Sequence, residues 1–129
     1  MFKFDADLST CETGVWVNFE GSSFLVAHIS NMRFQRALAR LQQPHRKKIE
    51  AGSLDPQVHR EVICKAMAEA ILLDWKDVGS IRGGDVVKYS SANALAALMG
   101  NTEFRDFISE FATNLSNYRS EEVEDLGKA

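Results

Sequence analysis

Along the chain the apolar positions change period several times, and each change marks an element. In GVWVNF, Val15, Val17 and Phe19 fall on one side and Trp16 on the other, the alternation of a half-buried strand. FLVAHI repeats the habit after the short polar turn Glu20-Gly21-Ser22-Ser23, so residues 14–29 predict a β-hairpin. A lone hairpin is marginal in water and has to lay one face on helices. From Asn31 the period becomes helical: Phe34, Ala37, Leu38 and Leu41 form a stripe at intervals of three and four, with Asn31 as N-cap. Pro44 lacks an N–H and crowds the preceding turn, which ends or kinks that helix near Gln42. A short basic helix over residues 46–51 follows, closed by Gly52.

Asp55 and Pro56 supply a cap and a first helical residue, a specific start signal. Val58, Val62, Ile63, Ala66, Met67, Ala70 and Leu73 continue it as the stripe of a central helix, which Ile71 and Leu72 widen at its end. On this reading Trp75 stands just past the helix, where it either closes the core under the glycine-rich loop of residues 77–90 or contacts another chain. Ser90 or Ser91 caps a short helix over 92–99 that Gly100 terminates, and Asn101 or Thr102 starts the last one. In that helix Phe104, Phe107, Ile108, Phe111, Leu115 and Tyr118 form a continuous stripe. The elements predict an α+β fold, predominantly helical, with an N-terminal β-hairpin packed on about four or five helices. They predict a single domain over residues 1–119 and an acidic flexible tail over 120–129.

Charge adds a feature that periodicity does not show. The formal net charge is −3, yet Arg33, Arg36, Arg40, Arg46, Lys47 and Lys48 follow one another with no acid among them. Arg33, Arg36 and Arg40 share one helical row. Such a ridge is either a solvated face or a contact for an acidic partner: another protein, a neighbouring subunit, or the tail's own Glu121, Glu122, Glu124 and Asp125. A small regulatory or nucleic-acid-binding module using Arg33 to Lys48 is the alternative. The net charge disfavours it, and no aromatic residue interleaves the basic run as stacking platforms require.

Candidate chemistry is sparse. His28, His45 and His59 are scattered outside any metal-binding spacing, and no Cys-x-x-Cys pair occurs. Arg82-Gly83-Gly84 lacks the lysine and hydroxyl of a phosphate-binding loop, and Ser90-Ser91 lacks the glycine setting of an activated nucleophile. Cys11 and Cys64 read as reduced thiols, Cys64 within a core, and the opening residues read as neither a secretory signal nor a membrane anchor. The expectation is a cytosolic protein that is not an enzyme and has no catalytic residue, cofactor or metal.

Three stretches, FQRALARLQQPHRKKIEAG, AEAILLDWKDV and KYSSANALAALMGNTEFRDFISEFA, carry a family resemblance. In order and spacing they resemble the tail assembly chaperones of long-tailed bacteriophages, over roughly residues 13–118. The carriers are Phe34-Gln35-Arg36, Pro44, Gly52, Leu73-Asp74-Trp75, Tyr89-Ser90 with Asn93-Ala94, and Glu103-Phe104 before Asp106-Phe107. One departure is Ser90-Ser91-Ala92-Asn93, where members often carry Ser-Pro-Glu-Asn. The resemblance implies a non-enzymatic protein of the host cytoplasm that binds the tape measure protein during tail-tube assembly and is not retained in the virion. Coating such a client calls for a homo-oligomer, in rings or spirals, and the net charge of −3 argues against nucleic acid and membrane partners. A longer product of ribosomal frameshifting would recruit the tail tube protein, and Leu126, Gly127 and Lys128 permit a slippery heptamer. The client is expected in an apolar groove edged by the helices carrying Leu38 or Phe111.

Overall fold

A computed structural model of the protein describes residues 1–2, 9–79 and 84–119. A single-turn helix, α1 (Thr10–Thr13), leads into β1 (Val15–Phe19) and β2 (Ser22–Val26), which pair antiparallel from Val15↔Val26 to Phe19↔Ser22. Glu20 and Gly21 both have positive φ, at 50° and 83°, as a two-residue hairpin loop requires. Val17 and Phe24 face inward, and Trp16 is exposed on the outer face.

Asn31 caps α2 (Met32–Gln42) by accepting the Phe34 N–H at 2.9 Å. Pro44 lies in a 3₁₀ turn (Gln43–His45), after which α3 (Arg46–Glu50) runs to a left-handed Gly52 at φ 67°. Asp55 then caps α4 (Pro56–Ala70) through the Gln57 N–H at 2.7 Å. The central helix is shorter than its apolar stripe: it ends at Ala70, and Leu72–Lys76 form β3. That strand pairs antiparallel with β2, Phe24 opposite Trp75 and Val26 opposite Leu72, giving a three-stranded sheet in the order β1-β2-β3. The free edge of β2 wins over helix propensity here. Extending α4 to Leu73 would leave the backbone of β2 unpaired on that side.

Beyond β3, Gly79 bridges Val86 as an irregular hairpin arm, and residues 80–83 lie outside the described set. Ser90 caps α5 (Ser91–Gly100), whose last residue is Gly100, and Asn101 caps α6 (Thr102–Thr113). Asn114 is extended, so the expected stripe breaks: Leu115 is exposed, while Ala112 and Tyr118 are buried. Tyr118 belongs to a closing 3₁₀ turn, Leu115–Tyr118.

The fold is a helix-dominated α+β domain. Among the described residues, α2, α5 and β3 pack on α4, α6 packs on α5 and β2, and α3 lies at the periphery with no buried residue. Cys64, Ala66, Ala70, Ile71, Leu72, Leu98 and Ile108 are fully enclosed in the core. No helix among the described residues is long and apolar enough to cross a membrane.

Candidate functional site

The basic ridge is exposed, as its helical spacing predicts, but it is not uniformly free. Arg33 donates to the Glu12 carbonyl at 2.7 Å, Arg40 pairs with Glu69 of α4, and Arg46 pairs with Glu50 at 3.4 Å. Arg36, Lys47 and Lys48 have no ion-pair partner among the described residues. Glu121, Glu122, Glu124 and Asp125 lie outside the described residues.

Trp75 is on another part of the molecule and is 6% exposed. Its Nε1–H donates to the Val87 carbonyl at 2.8 Å, and its ring meets Phe24 and Tyr89 edge-on at 6.2 and 5.5 Å. Tyr89 in turn donates its hydroxyl to the Leu72 carbonyl at 2.7 Å. Burial, with the negative charge of Asp74 as a smaller cause, pushes that phenol above its ordinary pKa and keeps it a donor. Trp75 therefore closes the core and fastens the loop after Gly84, and no contact joins it to the arginines.

The same indole forms part of a cleft of about 750 Å³ that sequence spacing did not reveal. Phe19, Phe24 and Trp75 of the sheet make one wall; Ala96, Ala97 and Gly100 of α5, with Phe104 of α6, make the other. Small side chains on α5 leave the space open, since larger ones there would reach the sheet. Phe104 stacks at tilted angles on Phe24 and Phe19, with ring centroids 4.8 and 5.8 Å away. The rim is acidic: Glu20 and Asp77 both line it, and both are non-glycine residues at positive φ, 50° and 60°. The Ser22 hydroxyl ties the two turns together by donating to the Asp77 carbonyl at 2.6 Å. Of the two helices expected to edge a groove, α6, which carries Phe111, contributes Phe104 to this cleft, whereas α2, which carries Leu38, contributes nothing; Leu38 and Phe111 themselves are half-buried against the core.

The cleft carries an aromatic floor and carboxylates at its mouth, a surface suited to an apolar segment with a cationic side chain. Among the described residues no group of three His, Cys, Asp or Glu side chains stands close enough to hold a metal. Cys11 and Cys64 are free thiols in buried settings, and burial raises the pKa of both. Residues 29–129 match the family described as YdaY prophage protein. The chain belongs to that family. It is thus a prophage protein, and the matched span takes in both the basic ridge and the α5–α6 wall of the cleft. No curated protein and no solved structure matches the chain.

Proposed function

We propose that this prophage protein is a non-enzymatic tail assembly chaperone that holds helical segments of the tape measure protein in the cleft between the sheet and α5–α6. The cleft is the observation that carries the reading: it has the aromatic floor, small-residue wall and charged rim that helix-in-groove recognition uses. Membership of a prophage family and the ordered residue set from Phe34 to Phe107 support it from the sequence. The protein acts in the host cytoplasm before the tail is complete and leaves no copy in the virion. A minor product, shifted into the minus-one frame at Leu126-Gly127-Lys128, adds a domain that recruits tube subunits.

Capture of tape measure fragments by the full chain, with Ala97→Trp as a cleft-filling variant, tests this. Filling the cleft should weaken capture by roughly tenfold or more, the effect of losing about 1.4 kcal/mol of contact. Equal capture by both proteins, or none by either, removes the chaperone reading. Arg36, Lys47 and Lys48, which have no ion-pair partner among the described residues, keep the nucleic-acid alternative testable: tight DNA binding that falls steeply with salt would favour it.

A further inference from the structure

Among the described residues, the charges that line the cleft between the sheet and α5–α6 are all negative. They are Glu20 and Asp77, and neither has an ion-pair partner among the described residues. Two basic residues neighbour the lining in sequence, but both are engaged elsewhere. Lys76 Nζ lies over the Trp16 ring at 4.4 Å, and Arg105 donates to the Leu98 carbonyl at 3.2 Å. Glu20 and Asp77 are also the two non-glycine residues with positive φ among the described residues. Glycine or asparagine suits that backbone better than glutamate does, so Glu20 is kept there against local preference. The Ser22 hydroxyl bonds the Asp77 carbonyl and so holds both turns at one mouth of the cleft. Behind them the rings of Phe19, Phe24, Trp75 and Phe104 form the floor. Because the Trp75 Nε1–H is given to Val87, the indole offers the cleft ring surface and no donor. Aromatic rings behind unpaired carboxylates suit a cation with a flat, weakly hydrated head.

We propose that the cleft selects its occupant by an arginine: the guanidinium of one arginine on an amphipathic helical segment lies on the aromatic floor and pairs with Glu20 and Asp77. This rests on the reading of the cleft as a groove for helical segments, and it adds the side chain that decides which segments enter. Arginine fits better than lysine for two reasons. Its planar head stacks on aromatic rings, and its fork donates to two carboxylates at once, whereas an ammonium is a compact and strongly hydrated charge. In the open cleft both carboxylates are exposed and their charge is screened by water. The body of the occupant excludes that water, so the pairing strengthens as the cleft fills. The opposite wall sets the spacing: Ala96, Ala97 and Gly100 present one face of α5 at intervals of three and four and leave room for apolar side chains one helical turn from the arginine. A segment that enters therefore carries its apolar residues and its arginine on the same helical face.

Trp16→Phe leaves Trp75 as the single tryptophan of the full chain, so its fluorescence reports the cleft. The probes are model helical peptides of about 20 residues with a leucine stripe and, at one position on the same face, arginine, lysine, glutamine or glutamate. The arginine peptide should bind about tenfold more tightly than the glutamine peptide at low salt, with lysine between them and glutamate weakest. Glu20→Gln/Asp77→Asn should reduce that preference to about twofold or less, and Glu20→Lys/Asp77→Lys should turn it toward the glutamate peptide. The reversal is an outcome that a merely structural role of the rim would not produce. Far-UV circular dichroism and the thermal midpoint serve as folding controls. Equal affinity for the arginine and glutamine peptides, a preference that survives both rim changes, or no response of Trp75 to the arginine peptide would each overturn the proposal. Tape measure fragments separate it from the client reading. Capture that Ala97→Trp weakens and Glu20→Gln/Asp77→Asn leaves unchanged overturns the arginine contact and keeps the chaperone. Arginine-dependent peptide binding without capture of any tape measure fragment supports the contact and removes the chaperone.

Discussion

Trp75 shows how one side chain serves two surfaces. Its hydrogen-bonding edge is spent on the Val87 carbonyl, its ring edge meets Phe24, and part of its face lines the cleft. Trp75→Phe keeps an aromatic ring but leaves the Val87 carbonyl without its donor, so urea unfolding should show a loss of about 1–3 kcal/mol. Trp16 is the control, because it is 42% exposed and Lys76 Nζ lies over its ring at 4.4 Å. Trp16→Phe should change stability by under about 1 kcal/mol. A larger loss at Trp16 than at Trp75 would contradict this division of roles. The sequence showed that Trp75 stood at the end of an apolar run. It did not show which backbone carbonyl would receive the indole, because Val87 lies on a separate strand-like arm.

At the scale of elements, legibility followed the locality of the signal. Asn31, Pro44, Asp55, Ser90 and Asn101 act on their own or the next turn, and each occupies its expected position. Leu72–Lys76 did not read as a strand because Ile71-Leu72-Leu73 is apolar on every face and fits a buried helix end equally well. Only pairing with β2, some fifty residues earlier, decides it. Leu115 failed for a related reason: its spacing continues the stripe, but the backbone turns at Asn114. The arginine ridge was visible because charge can be counted without a fold. The cleft was not, since its walls come from residues 19–24, 75–79 and 96–104. The β1–β2 turn gives an element-scale prediction. Glu20 occupies a left-handed position that asparagine tolerates better, so Glu20→Asn should raise stability by roughly 1 kcal/mol. The same change removes a rim carboxylate, so thermal melts and client capture of this variant should move in opposite directions.

Over the whole molecule, the first and last described turns of the domain close on one buried histidine. His28 donates its backbone N–H to the Cys11 carbonyl at 2.9 Å, and its ring meets Tyr118 edge-on at 5.2 Å. The Ser30 N–H donates to His28 Nδ1 at 3.0 Å, so that nitrogen is an acceptor and the ring is neutral. Burial lowers the ring's pKa below its ordinary 6.5, and the Thr113 carbonyl only partly opposes it. The titratable groups packed nearby are the Cys11 thiol and the Tyr118 phenol, both raised by burial and hence uncharged at neutral pH. Above about pH 6.5 both folded and unfolded chains hold His28 neutral, and it adds no pH dependence. As pH falls below that value the unfolded chain takes up a proton first, so stability declines until pH passes the lowered folded-state pKa, below which this group adds no further slope. His28→Asn removes the titration while its amide oxygen can still accept the Ser30 N–H two residues on. Urea midpoints measured from neutral to mildly acidic pH should fall more gently for this variant than for the wild type. Identical slopes for the two proteins would mean that the ring is already solvated at this junction and that the two ends of the domain close without it.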